Sequence, residues 1–250
     1  MASGSEAIVE QKMPKTKRVL KSKGIDVHSD KFEVGLVAQC MNGGAQITTP
    51  DGETDIKGLF IAGETAGGLR GGSAGGNSLA EGQVFGYRTG KAAAHYSLMH
   101  GNELSSQEFY IKEFQTIKQW VENSQNGTKD VLDSIGELRR NMYRNCLVIR
   151  NEARLMDARD YLLQTEQDLQ QGKYALRLDN IKSALELRNM IITAKSIVLA
   201  ALLRTESRSC HYREDFPEKD DTNWKTSIRI RKKDGIMVAE AYEWPQNKAG

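Results

Sequence analysis

Between Gly58 and Gly86 the chain reads GLFIAGETAGGLRGGSAGGNSLAEGQVFG, and ten of these 29 residues are glycine. Glycine gives up side-chain packing and loses more chain freedom on folding than any other residue. Such density marks a place where main chain must come close to something. The apolar run IKGLFIAG leads in and predicts a short buried strand. Ser78-Leu79-Ala80-Glu81 leads out: Ser followed three places later by Glu is a capping-box pattern, and Asn77 is an alternative cap. Strand, glycine turn and helix start together can hold a negative group, because the first amides of a helix point toward it unpaired. The phosphate-binding versions of this arrangement do not match. The glycines from Gly63 onward lack the Gly-x-Gly-x-x-Gly spacing, and no P-loop lysine-serine pair follows. A flat, largely uncharged ring laid against bare backbone, with a helix end behind it, fits the glycines better.

The elements that must position this turn are legible from composition and periodicity. The 250 residues suffice for one large domain or two modest ones with a real core. Thirty-five basic against 33 acidic side chains leave a net charge of +2 without long blocks of either sign, which argues against a dedicated nucleic-acid binder. Cys40, Cys146 and Cys210 are too scattered for a disulfide framework or a metal site, so a reducing, cytoplasmic setting is expected. The first residues have no continuous apolar core of the signal-peptide kind. The longest apolar run, MIITAKSIVLAALL, is interrupted by Lys195 and is too short to span a bilayer.

Gly43-Gly44 separates two short apolar segments, and Pro50-Asp51-Gly52 is a turn signal. A helix from Ser78 to about Met99 carries Gly82, Gly86 and Gly90 at every fourth place, a smooth stripe read as tight helix-on-sheet packing. A further helix is predicted over Gln107 to Val121, ended by ENSQNG. Three longer helices follow, each with an apolar stripe in steps of three and four: Val131, Ile135, Leu138, Met142 and Ile149; then Leu155, Ala158, Leu162 and Leu169; then Ala184, Leu187, Ile191, Ala194, Val198 and Leu202. Short joins make them an antiparallel bundle over residues 101–205. The charged stretch after Arg204 cannot be one helix because of Pro217. A hairpin closes the chain, with Ile228 and Ile230 on one arm, a turn at Lys233-Asp234-Gly235, and Met237, Ala239 and Ala241 on the other.

With these residues in view, DIKGLFIAGETAGGLRGGSAGGNSLAEGQVFGYRTGKAAA resembles the flavin-binding C-terminal segment of the fumarate reductase and succinate dehydrogenase flavoprotein family, which includes L-aspartate oxidase. LKSKGIDVHSDKFEVGLVAQCMNGG resembles that family's return from its capping domain, and SRSCHYREDFPEKDDTNW its extended tail. The resemblance implies an α/β fold, a partial FAD-binding Rossmann-like domain over residues 1–100. The α-helical bundle follows over 101–205, and an extended C-terminal tail with a β-hairpin occupies 206–250. It implies FAD as cofactor, held by Gly63, Glu64, Gly76, Asn77, Ser78 and Leu79. Glu64 would bond the ribityl or ribose part, and the backbone at Ser78 and Leu79 would reach the pyrimidine edge of the ring. The expected partners are a second flavoprotein chain carrying the ADP-binding half, a small organic substrate and an iron–sulfur subunit. The chain itself is not expected to span a membrane, nor to bind a metal, and would reach a membrane only through other subunits.

Two positions depart from the family. Where its reductases carry a histidine four residues before the Gly-Gly pair, this chain has Gln39. Where they carry an arginine in the turn, GGSAGG is one residue shorter and Ser73 stands nearest. Neither can clamp a carboxylate as imidazolium or guanidinium would, so succinate and fumarate are not the expected substrates, and Arg70 is the nearby cation. Gln39, Arg70 and Ser73 are therefore the candidate catalytic positions of an FAD-dependent oxidoreductase subunit. The alternative is a structural subunit with a degenerate flavoprotein fold, and a third reading is an interaction module. Cys40, beside Gln39, reads as a buried thiol. The adjacent Cys210-His211 pair lacks a third ligand. Tyr212, Arg213, Asp215 and Asp220-Asp221 are expected to stitch the tail onto the flavin domain, with Arg213 placed to reach a substrate or partner.

Overall fold

The computed structural model describes residues 12–27, 29–31, 43–67, 78–101, 107–124 and 126–243. The chain divides after Cys40 into two compact units. In the first, helix α1 (Pro14–Ser22) starts on a proline, whose missing N–H is harmless in a first turn. It ends in a paired motif, with Gly24 N–H donating to Lys21 O at 3.0 Å and Ile25 N–H to Leu20 O at 3.0 Å.

The second unit opens with an irregular segment, residues 43–67, followed by the long helix α2 (Ser78–His100) and α3 (Gln107–Asn123). The bundle proper is α4 (Val131–Cys146), α5 (Glu152–Gln170) and α6 (Ile181–Leu203). Side-chain caps set two of its starts. Asp130 accepts from Leu132 N–H and Asp133 N–H at 2.7 and 3.0 Å, and Asn151 accepts from Arg154 N–H at 2.9 Å. The expected stripes are the core: Val131, Ile135 and Leu138 of α4 meet Leu155, Ala158 and Leu162 of α5 and Ala184, Leu187 and Ile191 of α6, all buried. Two stripe ends differ. Ile149 is exposed, because α4 stops at Cys146 and Ile149 lies in the short strand β1 (Ile149–Arg150); Cys146 takes the buried place. Near the end of α6, Ala201 is buried and Leu202 only partly so.

IKGLFIAG is not a strand. A strand needs a neighbour, and among the described residues Phe60 finds one isolated antiparallel bridge, to Glu53. Among the described residues a Cβ built at Gly82, Gly86 or Gly90 meets nothing within 4 Å, and only Gly82 of the stripe has a close backbone neighbour, Gly63.

Buried charges hold the bundle and tail. Asp168 of α5 is almost fully buried, accepts from Lys129, from Lys173 at 2.7 Å and from Gln164 at 2.9 Å, and joins the loops at one bundle end. Burial would raise its pKa, but these bonds outweigh that and hold the carboxyl at about 2. In the tail, strand β2 (Tyr212–Arg213) pairs in parallel with β1. It carries the buried guanidinium of Arg213, which donates to Ala201 O at 2.8 Å and Arg204 O at 3.2 Å, capping the end of α6. The same group makes a fork onto Asp215 at 2.8 and 2.7 Å. Asp215 also accepts from Glu152 N–H at the start of α5, at 2.9 Å. The tail is thus stitched to the bundle helices, and Arg213 is enclosed by its own chain rather than turned toward a substrate. Glu206, fully buried, collects Arg204, Arg208 and Asp220 N–H. The one-turn α7 (Asp221–Trp224) leads to the hairpin of β3 (Ser227–Lys233) and β4 (Ile236–Tyr242). Asp234 and Gly235 both have positive φ, 50° and 83°, the two-residue turn that matches strand twist.

Two outcomes follow for stability. Arg213→Lys, which loses the fork and leaves helix-end carbonyls unsatisfied, is expected to cost about 3 kcal/mol, read as a lower urea midpoint. The Asp168 carboxyl falls from 3.8 in its ordinary state to about 2 in the fold. Its stabilisation is therefore complete above about pH 4 and is lost as pH falls toward 2. Asp168→Asn, which does not titrate, should show a shallower loss across that window in urea unfolding.

Candidate functional site

Residues 43–67 form a tight knot of turns with little side chain between its strands of backbone. Gly52 N–H donates to Thr49 O at 3.1 Å, confirming the Pro50-Asp51-Gly52 turn, and Thr48 N–H reaches Glu53 O at 2.7 Å. A second turn brings Leu59 N–H to Ile56 O at 3.0 Å, and Ile61 N–H returns to Gly52 O at 2.8 Å. The knot docks on one face of α2. Gly52 has φ of +81°, and a Cβ there would sit 2.4 Å from Thr89 Oγ1, so only glycine fits against the one buried residue of α2. Arg88 Nε donates to Asp51 Oδ1 at 2.5 Å, and Phe60 meets Tyr96 edge to face at 5.7 Å between ring centres.

The glycine-rich turn begins as a single 3-10 turn over Gly63–Ala66, closed by Gly67 N–H onto Glu64 O at 2.9 Å. Two bare stretches of main chain touch here. Ala45 N–H donates to Thr65 O at 2.8 Å, and a Cβ on Gly44 would lie 2.1 Å from Thr65 O and 2.3 Å from Gly67 N. On the other side, Gly63 lies against Gly82 of α2, 3.7 Å from a Cβ position to its Cα. Glu64 and Thr65 are exposed on this turn, and Ser78, Leu79 and Ala80 are exposed at the start of α2. Glu64 thus presents an acceptor at this turn and Ser78–Ala80 an exposed helix start, groups of the kind a flavin's hydroxyls and ring edge would use.

Of the expected site residues, Gly63, Glu64, Ser78 and Leu79 are placed by the structure. Gly63 and Glu64 share one turn, and Ser78 and Leu79 open α2. Gln39, Arg70, Ser73, Gly76 and Asn77 lie outside the described residues, as does Cys40. Sequence reading missed three contacts that hold the turn: Gly52 on Thr89, Asp51 with Arg88, and Gln46 with Tyr242. The Pro-Asp-Gly turn was a signal for the first two residues of those pairs; their partners have none.

Cys210 and His211 do not act together. The thiol is exposed. The imidazole is half-buried, with Nδ1 accepting from Arg150 at 2.7 Å and Nε2 3.3 Å from Arg204 O, an arrangement that suits the neutral ring. Burial, then the positive charge of Arg150, lowers its pKa from 6.5 to about 4.

Helix α2 leaves large apolar side chains exposed among the described residues. Leu79, Val84, Tyr87, Leu98 and Met99 are all exposed, whereas the equally long α6 buries six residues. No helix among the described residues is long and apolar enough to cross a membrane.

Comparison with known proteins supplies the class. Residues 135–242 match the family model described as the fumarate reductase flavoprotein C-terminal domain. That part of the chain is similar to the C-terminal domain of the fumarate reductase flavoprotein family. Among particular relatives, an uncharacterised FAD-dependent oxidoreductase of Methanocaldococcus jannaschii is 35% identical over 228 residues, 90% of this chain and 41% of that protein. A fumarate reductase (CoM/CoB) subunit of Methanothermobacter marburgensis is 35% identical over 237 residues, 91% of this chain and 41% of that one. The solved structure of Mycobacterium smegmatis Sdh1 in complex with UQ1 superposes with a TM-score of 0.80 at 27% identity, over 95% of this chain and 40% of its own. The chain thus spans about two fifths of the length of these two relatives.

One outcome follows for His211. Its folded pKa lies below the ordinary value, so the neutral ring's contribution is full above about pH 6.5 and is lost as pH falls through about 4. The urea midpoint of the wild-type chain should drop between pH 6.5 and 4.5, and that of His211→Gln should stay nearly flat over the same interval.

Proposed function

We propose that this chain forms the ring-facing part of a flavin site in an FAD-dependent oxidoreductase subunit. That subunit passes electrons or hydride between a small organic substrate and an electron-carrier partner. The observation that carries the reading is the close main-chain contact of Gly44 with Thr65–Gly67, beside exposed Glu64 and exposed Ser78–Ala80 at the start of α2. Gly63, Glu64, Gly76, Asn77, Ser78 and Leu79 would hold FAD, which when bound supplies two-electron redox chemistry. Glu64 would accept hydrogen bonds from hydroxyls of the ribityl or ribose chain. The positive end of α2 would favour negative charge on the pyrimidine edge. The relatives named as an FAD-dependent oxidoreductase and as a fumarate reductase support the cofactor and the reaction class.

The substrate side belongs to Gln39, Arg70 and Ser73. Gln39 and Ser73 are neutral, so they orient a polar substrate by hydrogen bonds without neutralising a dicarboxylate, and Arg70 is the cation left to meet an anionic group. The exposed apolar side chains of α2 favour a site completed by protein carrying the ADP-binding half of the flavin domain, with electrons exchanged through an iron–sulfur subunit. Loss of both carboxylate-clamping residues also favours a second reading, a structural subunit whose redox site has decayed.

The visible spectrum of the purified native complex separates these readings. Flavin bands are expected, and Glu64→Gln should weaken FAD retention about tenfold through loss of a charge-assisted bond. Succinate should leave the wild-type flavin oxidised, whereas Gln39→His with Ser73→Arg should tighten succinate binding about tenfold. A complex with no flavin bands would overturn the proposal, and a flavin that no organic donor or acceptor turns over would leave the structural reading.

A further inference from the structure

The C-terminal hairpin has two working faces. Side chains alternate across a strand, so Ile228, Ile230 and Met237 point one way and Arg229, Glu240 and Tyr242 the other. On the first face, Met237 Sδ accepts from Ser196 Oγ of α6 at 3.5 Å, seating the hairpin on the bundle. On the second, Arg229 donates to Glu240 Oε1 from Nε at 3.0 Å and from its terminal nitrogen at 2.5 Å, and its guanidinium lies 4.4 Å from the centre of the Tyr242 ring. That stacking fixes the ring, and the Tyr242 hydroxyl accepts from Gln46 Nε2 at 3.1 Å, across 196 residues of sequence.

Gln46 sits one residue from the main-chain contact of the flavin turn. Ala45 N–H is bonded to Thr65 O, and Gly44 lies against Thr65 and Gly67. A continuous line of contacts therefore runs from α6 through the hairpin to the bare backbone of residues 63–67. Ala45 and Gly44 have no long side chain of their own with which to hold that segment, so its separation from the turn depends on what grips its neighbour. Gln46 is the first residue after them that can be gripped.

The geometry points to Tyr242 as a positioning residue for the glycine turn. By holding Gln46 it sets how closely the Gly44–Ala45 backbone lies against Thr65–Gly67, and so couples the bundle to the surface that receives the cofactor. The consequence for FAD rests on the flavin reading above; the coupling of hairpin to turn does not.

The test uses the full 250-residue chain and three variants: Tyr242→Phe, Gln46→Ala and the two combined. Tyr242→Phe keeps the ring and its Arg229 stacking and removes only the hydroxyl. Hydrogen exchange of peptides spanning residues 43–67 should quicken about fivefold in each single variant and no further in the double, while peptides of α5 and α6 stay unchanged. Unchanged exchange at 43–67, additive effects of the two substitutions, or loosening that spreads through the bundle would each overturn the assignment. In the flavin-loaded complex, Tyr242→Phe should weaken FAD binding about fivefold and alter the flavin absorption band. Local loosening with unaltered FAD binding and spectrum would overturn the link to the cofactor. Local loosening in a complex whose wild type binds no FAD would support the coupling and sink the flavin reading.

Discussion

At Gly44 and Thr65 two peptide groups approach until no side chain fits between them, and a single bond from Ala45 N–H to Thr65 O closes the gap. Such a contact gains almost nothing from apolar burial. Its stability is borrowed from what surrounds it: the turn knot at residues 48–61, the docking of Gly52 on Thr89, and the grip of Tyr242 on Gln46. The outcome is a closely packed pair of peptide segments with Gly43–Ala45 and Glu64–Thr65 exposed among the described residues. A planar ligand can lie against such a surface without displacing side chains, which is what a flavin ring requires.

The bundle supplies the rigidity that the glycine region lacks. Its core is built from Leu, Ile, Val and Ala at fully buried positions, and its ends are tied by charges with several partners each. Asp168 has two lysines and an amide, Glu206 has two arginines and a main-chain N–H, and Arg213 has a carboxylate and helix-end carbonyls. A buried charge with one partner would weaken the fold; with three it fixes the path of the chain. These ties place the tail so that the hairpin leaves α6 in one direction only.

Helix α2 is built on the opposite principle. It is held by Gly52, an ion pair and an aromatic contact, while Leu79, Val84, Tyr87, Leu98 and Met99 stay exposed. A helix of 23 residues with one buried side chain is poorly anchored for its length. Protein covering those side chains would stabilise α2, which in the proposed enzyme would tie assembly to cofactor binding.

The sequence alone determined the bundle, because a 3.6-residue apolar period has only one way to be buried, and Leu155, Leu162, Leu187 and Ile191 all lie where it puts them. It also determined the hairpin, through Asp234-Gly235. Ile149 broke the pattern because a helix end is set by the competing pairing of β1 with β2, which no local period records. IKGLFIAG looked like a strand because apolar runs do, yet pairing requires a neighbour that local sequence does not specify. Only tertiary structure decided that Arg213 closes a helix of its own chain, that His211 is turned from Cys210 toward Arg150, and that Tyr242 reaches Gln46. Those are choices of partner between distant residues. A side chain's type states which bonds it can make, but the packed fold selects which of them it makes.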